Sequence, residues 1–267
     1  MAGIGKAVWL SEGHAFDILI GDPKAMLAEA RNVVGGVNAD INVVPVRNRR
    51  KKLLIADMDS TIIGCEVIDE MADMIGLKPK IAAITERAML GELDFPSAVR
   101  ERVALLKGLP LEALARVYAE RVRLNAGARA LVATMRAHGA YTFLISGGFA
   151  YFTSRVAADA GFENNQGNRL IDDGCVLTGK VAEPILGREA KLKALEEAAT
   201  QHRLSVTEAL AVGDGANDLD MIKRAGLGVA YHAKPIVAAA AGASIAHGDL
   251  TALLYLQGYR DDEIVRR

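Results

Sequence analysis

Two aspartates spaced by one residue, Asp57 and Asp59, follow the apolar run 53–56 directly, and hydroxyls at Ser60 and Thr61 come next. A run of four apolar residues edged by charge reads as a short buried strand. A carboxylate placed at the end of such a strand is costly unless a cation or hydrogen bonds compensate it. Two more apolar runs stop in the same manner. Tyr141 to Ile145 ends in Ser146-Gly147-Gly148, and Ala209 to Val212 ends in Gly213-Asp214-Gly215-Ala216-Asn217-Asp218. Each is followed by helical spacing. A carboxylate so placed can attack an electrophile and become covalently modified. A second carboxyl two residues on can protonate a leaving alkoxide and later deprotonate water. If the electrophile is a phosphoester, a hard divalent cation is needed between the anions, and Mg²⁺ with oxygen ligands suits it. Asp57 and Asp214 are the candidate side-chain ligands, with Asp59 contributing its backbone carbonyl. Ser146 and the Gly147 amide offer donors to phosphoryl oxygens. A lysine should balance the charge; Lys191 is best placed, with Lys180 and Lys193 as competitors.

The elements that position these residues follow from the alternation of apolar strands with helices. That pattern predicts an α/β fold, a doubly wound parallel sheet of Rossmann-like type covered on both faces. Ligands of such sheets bind beyond the carboxyl ends of the strands, so three distant segments should meet in one crevice. Residues 66–129 interrupt the alternation with helical periodicity and predict a helical cap over those strand ends. Residues 51–65 and 130–267 form the core. Residues 1–50 read as a small βαβ appendage, with strands at 16–20 and 41–46 around a helix at 23–34. Residues 163–185 suggest an antiparallel hairpin off the main sheet, with strands at 169–171 and 175–177.

Composition narrows the function classes. The chain has 267 residues, 51% of them hydrophobic, which suffices for a large core with a satellite domain. A formal net charge of −1 supplies no global field toward nucleic acid or membrane. The basic run Arg47 to Lys52 lacks interleaved aromatics and reads as a solvated linker. Two cysteines, Cys65 and Cys175, are too few for a disulfide scaffold, and five scattered histidines do not suggest a zinc site. With no signal-peptide pattern and no spanning stretch, the expectation is a cytoplasmic protein.

Taken together, Asp57-Met-Asp-Ser-Thr61, Ser146-Gly-Gly-Phe149, Lys191 and Gly213-Asp-Gly-Ala-Asn-Asp218 resemble the motif set of the haloacid dehalogenase superfamily. The similarity spans roughly residues 52–257 and is greatest to members that hydrolyse phosphoserine. The resemblance implies Asp57 as nucleophile, Asp59 as general acid and base, and Mg²⁺ on Asp57, Asp59 and Asp214 with Asp218 in support. Ser146, Gly147, Lys191 and Asn217 would serve the phosphate. Glu66 would pair with the substrate ammonium, and Arg102 would fork onto its carboxylate. The implied reaction converts O-phospho-L-serine to L-serine and phosphate, the last step of serine biosynthesis. Transfer to an alcohol such as homoserine, or hydrolysis of another small phosphomonoester, is the alternative. The partner is then a small molecule, and residues 1–50 leave room for a homodimer.

Overall fold

The computed structural model describes residues 5–34, 36–89 and 92–266. The chain opens with an antiparallel pair, β1 (Val8–Ser11) and β2 (Ala15–Asp17), and a helix, α1 (Pro23–Val33). Strand β3 (Leu53–Ala56) leads through a tight turn, Met58–Ile62, into four inserted helices: α2 (Val67–Asp73), α3 (Lys78–Met89), α4 (Phe95–Ala104) and α5 (Leu111–Arg121). Next come α6 (Ala128–Ala137), β4 (Tyr141–Phe149), α7 (Ala150–Ala160) and β5 (Asn164–Asn168). An antiparallel pair, β6 (Leu170–Asp172) and β7 (Leu177–Val181), precedes α8 (Arg188–Gln201). The chain finishes with β8 (Ala209–Gly213), α9 (Leu219–Arg224), β9 (Leu227–Tyr231), α10 (Pro235–Ala240), β10 (Ala243–Ile245) and α11 (Ala252–Leu256).

The six strands of the main sheet run in the order β10-β9-β8-β3-β4-β5, and every pairing is parallel. Strand β3 sits where the chain order reverses, with β4 and β5 on one side and β8 to β10 on the other. That reversal opens a crevice at its carboxyl end. The two-residue period of a strand divides β3 between two cores. Leu54 and Ala56 join the side chains of the inserted helices, α6 and α7. Leu53 and Ile55 meet Ala194, Leu195, Ala198 and Ala199 of α8. All four β3 side chains are fully buried, as a strand covered on both faces requires. The doubly wound core and helical cap read from the sequence are both present.

The N-terminal appendage differs in detail from the βαβ expectation. Its strands form a hairpin ahead of α1, and the stretch 41–46 carries no ladder pairing. Pro45 lacks an N–H, and side chains take over the pairing. The Asn42 amide donates to the Ser244 carbonyl at 3.0 Å and accepts from the Ser244 N–H at 2.8 Å, copying a strand bond at the sheet edge. The Asp40 carboxylate accepts from the backbone N–H groups of Ala246, His247 and Gly248. The basic run is not a solvated linker either. Arg49 pairs with Asp17, Arg50 with Glu263 and Lys52 with Glu208, while the Lys51 ammonium donates to the Asn48 and Thr207 carbonyls. These residues tether the appendage and the C-terminal segment to the core.

Two strands extend beyond the sequence reading. Strand β4 continues through Ser146-Gly147-Gly148, because glycines fit extended backbone where nothing interrupts it. Strand β5, Asn-Asn-Gln-Gly-Asn, is entirely polar and gave no apolar signal. It lies at the sheet edge, where backbone pairing on one side suffices. The hairpin strands fall at 170–172 and 177–181, displaced from the expected positions.

If Asp40 clamps the β10 edge, Asp40→Ala should lower unfolding free energy by about 2 kcal/mol, the scale of hydrogen bonds to a charged acceptor. A urea melt measures this, and an unchanged midpoint would remove the clamp.

Candidate active site

The ladder carries the chain past β3, since the Asp57 N–H still donates to the Val212 carbonyl of β8 at 3.0 Å. The turn that follows places Ser60 at φ 55°, in the left-handed region. This unusual backbone for a side-chain-bearing residue swings the chain back toward α2. The two acids face different partners. Asp57 Oδ1 accepts from the Met58 N–H at 2.8 Å and from the Lys191 ammonium at 2.8 Å. Asp59 accepts from the Val67 N–H through Oδ1 and from the Ser146 hydroxyl through Oδ2, each at 3.0 Å.

Lys191 enters from the first turns of α8 and is only 1% exposed. Its ammonium lies 2.6 Å from Asp218 Oδ1 as well as 2.8 Å from Asp57. Asp218 Oδ2 in turn accepts from the Gly215 N–H at 3.0 Å, folding the Gly213–Asp218 stretch onto the lysine. Gly213 is required for this approach: a Cβ there would lie 2.4 Å from Asp218 Cγ. Gly148 is equally constrained, since its Cβ would lie 2.6 Å from Asp59 Oδ2. Asp214, after β8, accepts a long hydrogen bond from Thr61 Oγ1 at 3.4 Å.

One carboxylate oxygen from each of Asp57, Asp214 and Asp218 lies within 4.8 Å of the others, a grouping able to hold a metal ion. Three carboxylates face one ammonium. Burial, then Asp218, raises the Asp57 carboxyl well above its ordinary range despite Lys191. Burial and Asp218 push Asp214 up to about 6. Burial alone would lower the Lys191 pKa, but Asp218 and Asp57 outweigh it and hold the ammonium above its usual range. Burial, with Glu66 second, raises Asp59 to about 7. A surplus of buried negative charge made of hard oxygen donors is the chemistry of a divalent-cation site. The cluster takes in Asp218 and not the Asp59 carboxylate, which is turned to Ser146 and Val67.

The residues expected to read the organic part of a substrate lie at the rim. Glu66 occupies the N-cap position of α2 and accepts from the Ser60 hydroxyl at 2.7 Å. Arg102 projects from α4, with its Nε donating to the Ala98 carbonyl at 3.2 Å. Burial lowers the Arg102 pKa, opposed by Glu66, Asp69 and Asp59. Among the described residues, no ion pair closes between Arg102 and Glu66. Gly147 carries the Phe95 ring of α4 close against its backbone, and Asn217 lies over Gly215.

The structure therefore brings Asp57, Asp59, Ser146, Lys191, Asp214 and Asp218 into one connected cluster, with Glu66 joined through Ser60. Ser60 and Thr61 are hydrogen-bonding members of the site as well, donating to Glu66 and Asp214. Their hydroxyls beside the acids were the available signal.

A family model of haloacid dehalogenase-like hydrolases matches residues 54–223. A phosphoserine phosphatase of Archaeoglobus fulgidus is 43% identical over 206 residues, covering 77% of this chain and 60% of the relative's length. The chain thus spans less than two thirds of that relative. A phosphoserine phosphatase of Albidiferax ferrireducens is 44% identical over 217 residues, covering 79% of this chain and 92% of the relative. A solved substrate-bound phosphoserine phosphatase complex superposes with a TM-score of 0.72 at 36% identity, covering 77% of this chain and 98% of that one. The fold, the acid-tipped strands and the family match define a class of hydrolases built on a doubly wound parallel sheet. The chain belongs to the haloacid dehalogenase-like hydrolase family.

Cys65 stands beside this cluster, and burial with Asp59 next pushes its thiol up to about 12. Its thiol then stays overwhelmingly protonated and unreactive at pH 8. Iodoacetamide at that pH should label exposed Cys175 and spare Cys65. Comparable labelling of both in a peptide map would overturn the assigned environment.

Proposed function

We propose that this protein is a phosphoserine phosphatase, a phosphoric monoester hydrolase that releases L-serine and inorganic phosphate. The observation that carries the reading is the buried Asp57–Lys191–Asp218 arrangement beside a separately held Asp59, in a chain whose relatives are phosphoserine phosphatases. We read residues 51–65 and 130–267 as the catalytic core, 66–129 as its cap and 1–50 as an appendage.

Both hydrogen bonds to Asp57 fall on Oδ1, so Oδ2 is the oxygen we assign to attack. It forms a bond to phosphorus as the bond from phosphorus to the serine oxygen breaks, leaving an aspartyl phosphate. Asp59 donates its proton to the departing alkoxide, and the product is L-serine. A carboxyl raised to about 7 is about half protonated at neutral pH, so it can give the proton in one step and take one in the next. Ionised Asp59 then takes a proton from water, whose oxygen attacks phosphorus and frees phosphate and Asp57. Lys191 and the Gly147 amide offset charge on the phosphoryl oxygens, joined by the Ser146 hydroxyl once the substrate draws its proton from Asp59.

The oxygen donors of Asp57, Asp214 and Asp218 suit Mg²⁺, and we assign that ion to them with the Asp59 carbonyl as a further donor. When bound it supplies electrostatic shielding between the attacking carboxylate and the phosphoester. Glu66 and Arg102, unpaired with each other across the rim, take the substrate ammonium and carboxylate. Hydrolysis of phosphoserine fits the last step of serine biosynthesis.

Asp57→Asn should reduce phosphate release from phosphoserine by at least about 10³-fold. Activity near wild type in a malachite-green assay would reject Asp57 as nucleophile. Arg102→Ala should lower kcat/KM for phosphoserine by about 10²-fold, the scale of a charge-assisted fork, while p-nitrophenyl phosphate turnover persists. Unchanged phosphoserine kinetics would remove the specificity assignment.

A further inference from the structure

Asn168, at the end of β5, is 2% exposed and lies outside every motif considered above. Its side-chain amide is fully engaged. Nδ2 donates to the Gly147 carbonyl at 2.8 Å and to the Leu186 carbonyl at 3.2 Å. Its Oδ1 accepts from the Leu186 N–H at 2.7 Å. Backbone bonds of a second kind meet at both ends of this clasp. The peptide that carries the Gly147 carbonyl also carries the Gly148 N–H, which donates to Ser146 Oγ at 2.8 Å. That peptide plane is thereby held at its oxygen by Asn168 and at its nitrogen by Ser146. With one lone pair of Ser146 Oγ committed to Gly148, its proton is directed to Asp59 Oδ2, 3.0 Å away. On the other side, Leu186 precedes Gly187, whose carbonyl accepts from the Lys191 N–H at 3.2 Å in the first turn of α8. Phe95 of the inserted helices rests on both segments, since a Cβ on Gly147 or on Gly187 would come within 3.0 Å of its ring.

We infer that Asn168 is a positioning residue for phosphoryl transfer: it locks the Gly147–Gly148 peptide to the start of the lysine-bearing helix, setting Ser146 and Lys191 in one register. It touches neither substrate nor the reacting atoms. Its action runs through the turn that Ser146 and Gly147 present to the phosphate and through the helix that delivers Lys191. The inference rests on the phosphatase reading. Displacing such groups by a fraction of an ångström to an ångström costs up to about 10²-fold in rate. Glu66, at the N-cap of α2, and Arg102, in the last turn of α4, make no hydrogen bond to the clasped peptides, so substrate capture is affected less than turnover.

The test compares Asn168→Ala and Asn168→Asp with wild type and with Asn165→Ala. Asn168→Asp keeps an acceptor for the Leu186 N–H but loses the donors to Gly147 and Leu186, and it serves if the alanine variant does not fold. Asn165 lies in the same strand as Asn168, and Asn165→Ala removes only the 3.0 Å bond that its Oδ1 accepts from Thr153 Oγ1 of α7. Both Asn168 variants should lose kcat for phosphoserine by about 10–10²-fold, with KM within about threefold of wild type. Inhibition by orthovanadate, a mimic of five-coordinate phosphorus, should weaken in parallel. Asn165→Ala should retain wild-type kcat. An Asn168 variant with lowered melting temperature but wild-type kcat and vanadate affinity would overturn the inference, leaving Asn168 a structural residue. A wild-type protein without phosphoserine hydrolysis would reject the underlying phosphatase reading instead, so the two failures are distinct.

Discussion

A single buried ammonium organises this molecule. Lys191 is withdrawn from water at the base of the crevice, where an isolated charge would be prohibitively costly. It is tolerated because Asp57 and Asp218 meet it at 2.8 and 2.6 Å from two different strand ends. That requirement ties α8 to β3 and β8 simultaneously. Breaking the arrangement from either side leaves an uncompensated buried charge, which is more damaging than losing an exposed ion pair.

Two carboxylates on the same turn thereby acquire different characters. Asp57 shares its oxygen with the lysine and stands in a cluster with Asp214 and Asp218 that has more negative than positive charge. Asp59 is held by a hydroxyl and a backbone amide, with Glu66 nearby and its carboxyl raised to about 7. The surroundings separate the acids by partner: Asp57 stands beside an ammonium and in a cation-binding cluster, which favour its ionised form, while Asp59 meets only neutral donors. The left-handed backbone at Ser60 contributes on the Asp59 side, because it turns the chain back so that the Val67 N–H at the start of α2 meets the Asp59 carboxylate.

Close backbone approach is the second condition. Gly213 lets Asp218 fold back onto its own loop, and Gly148 lets the β4 end pass against the Asp59 carboxylate. Gly147 and Gly187 together admit the Phe95 ring, so the inserted helices contact both the phosphate-side turn and the start of α8. Packing, hydrogen bonding and charge balance thus converge on the same few peptides, and rigidity there serves the site directly.

The residue types carrying the chemistry were legible in the chain alone, as were the parallel sheet and the helical insertion. Apolar runs ending in Asp57, Ser146 and Asp214 report their own burial, because only covered strands are apolar on both faces. The polar edge strand Asn164–Asn168 was illegible, since a strand paired on one side needs no apolar signature. The side-chain pairing of Asn42 with Ser244 was illegible for a related reason: its partner lies 202 residues away. Local order along the chain determined which groups are present and which strand ends bear them. The tertiary structure set Lys191, already the best-placed lysine of the chain, between the acids, and it alone decided that Asp218 rather than the Asp59 carboxylate completes the anionic cluster. Distances between residues far apart in the chain depend on how helices pack across a sheet, and no local pattern of residues encodes them.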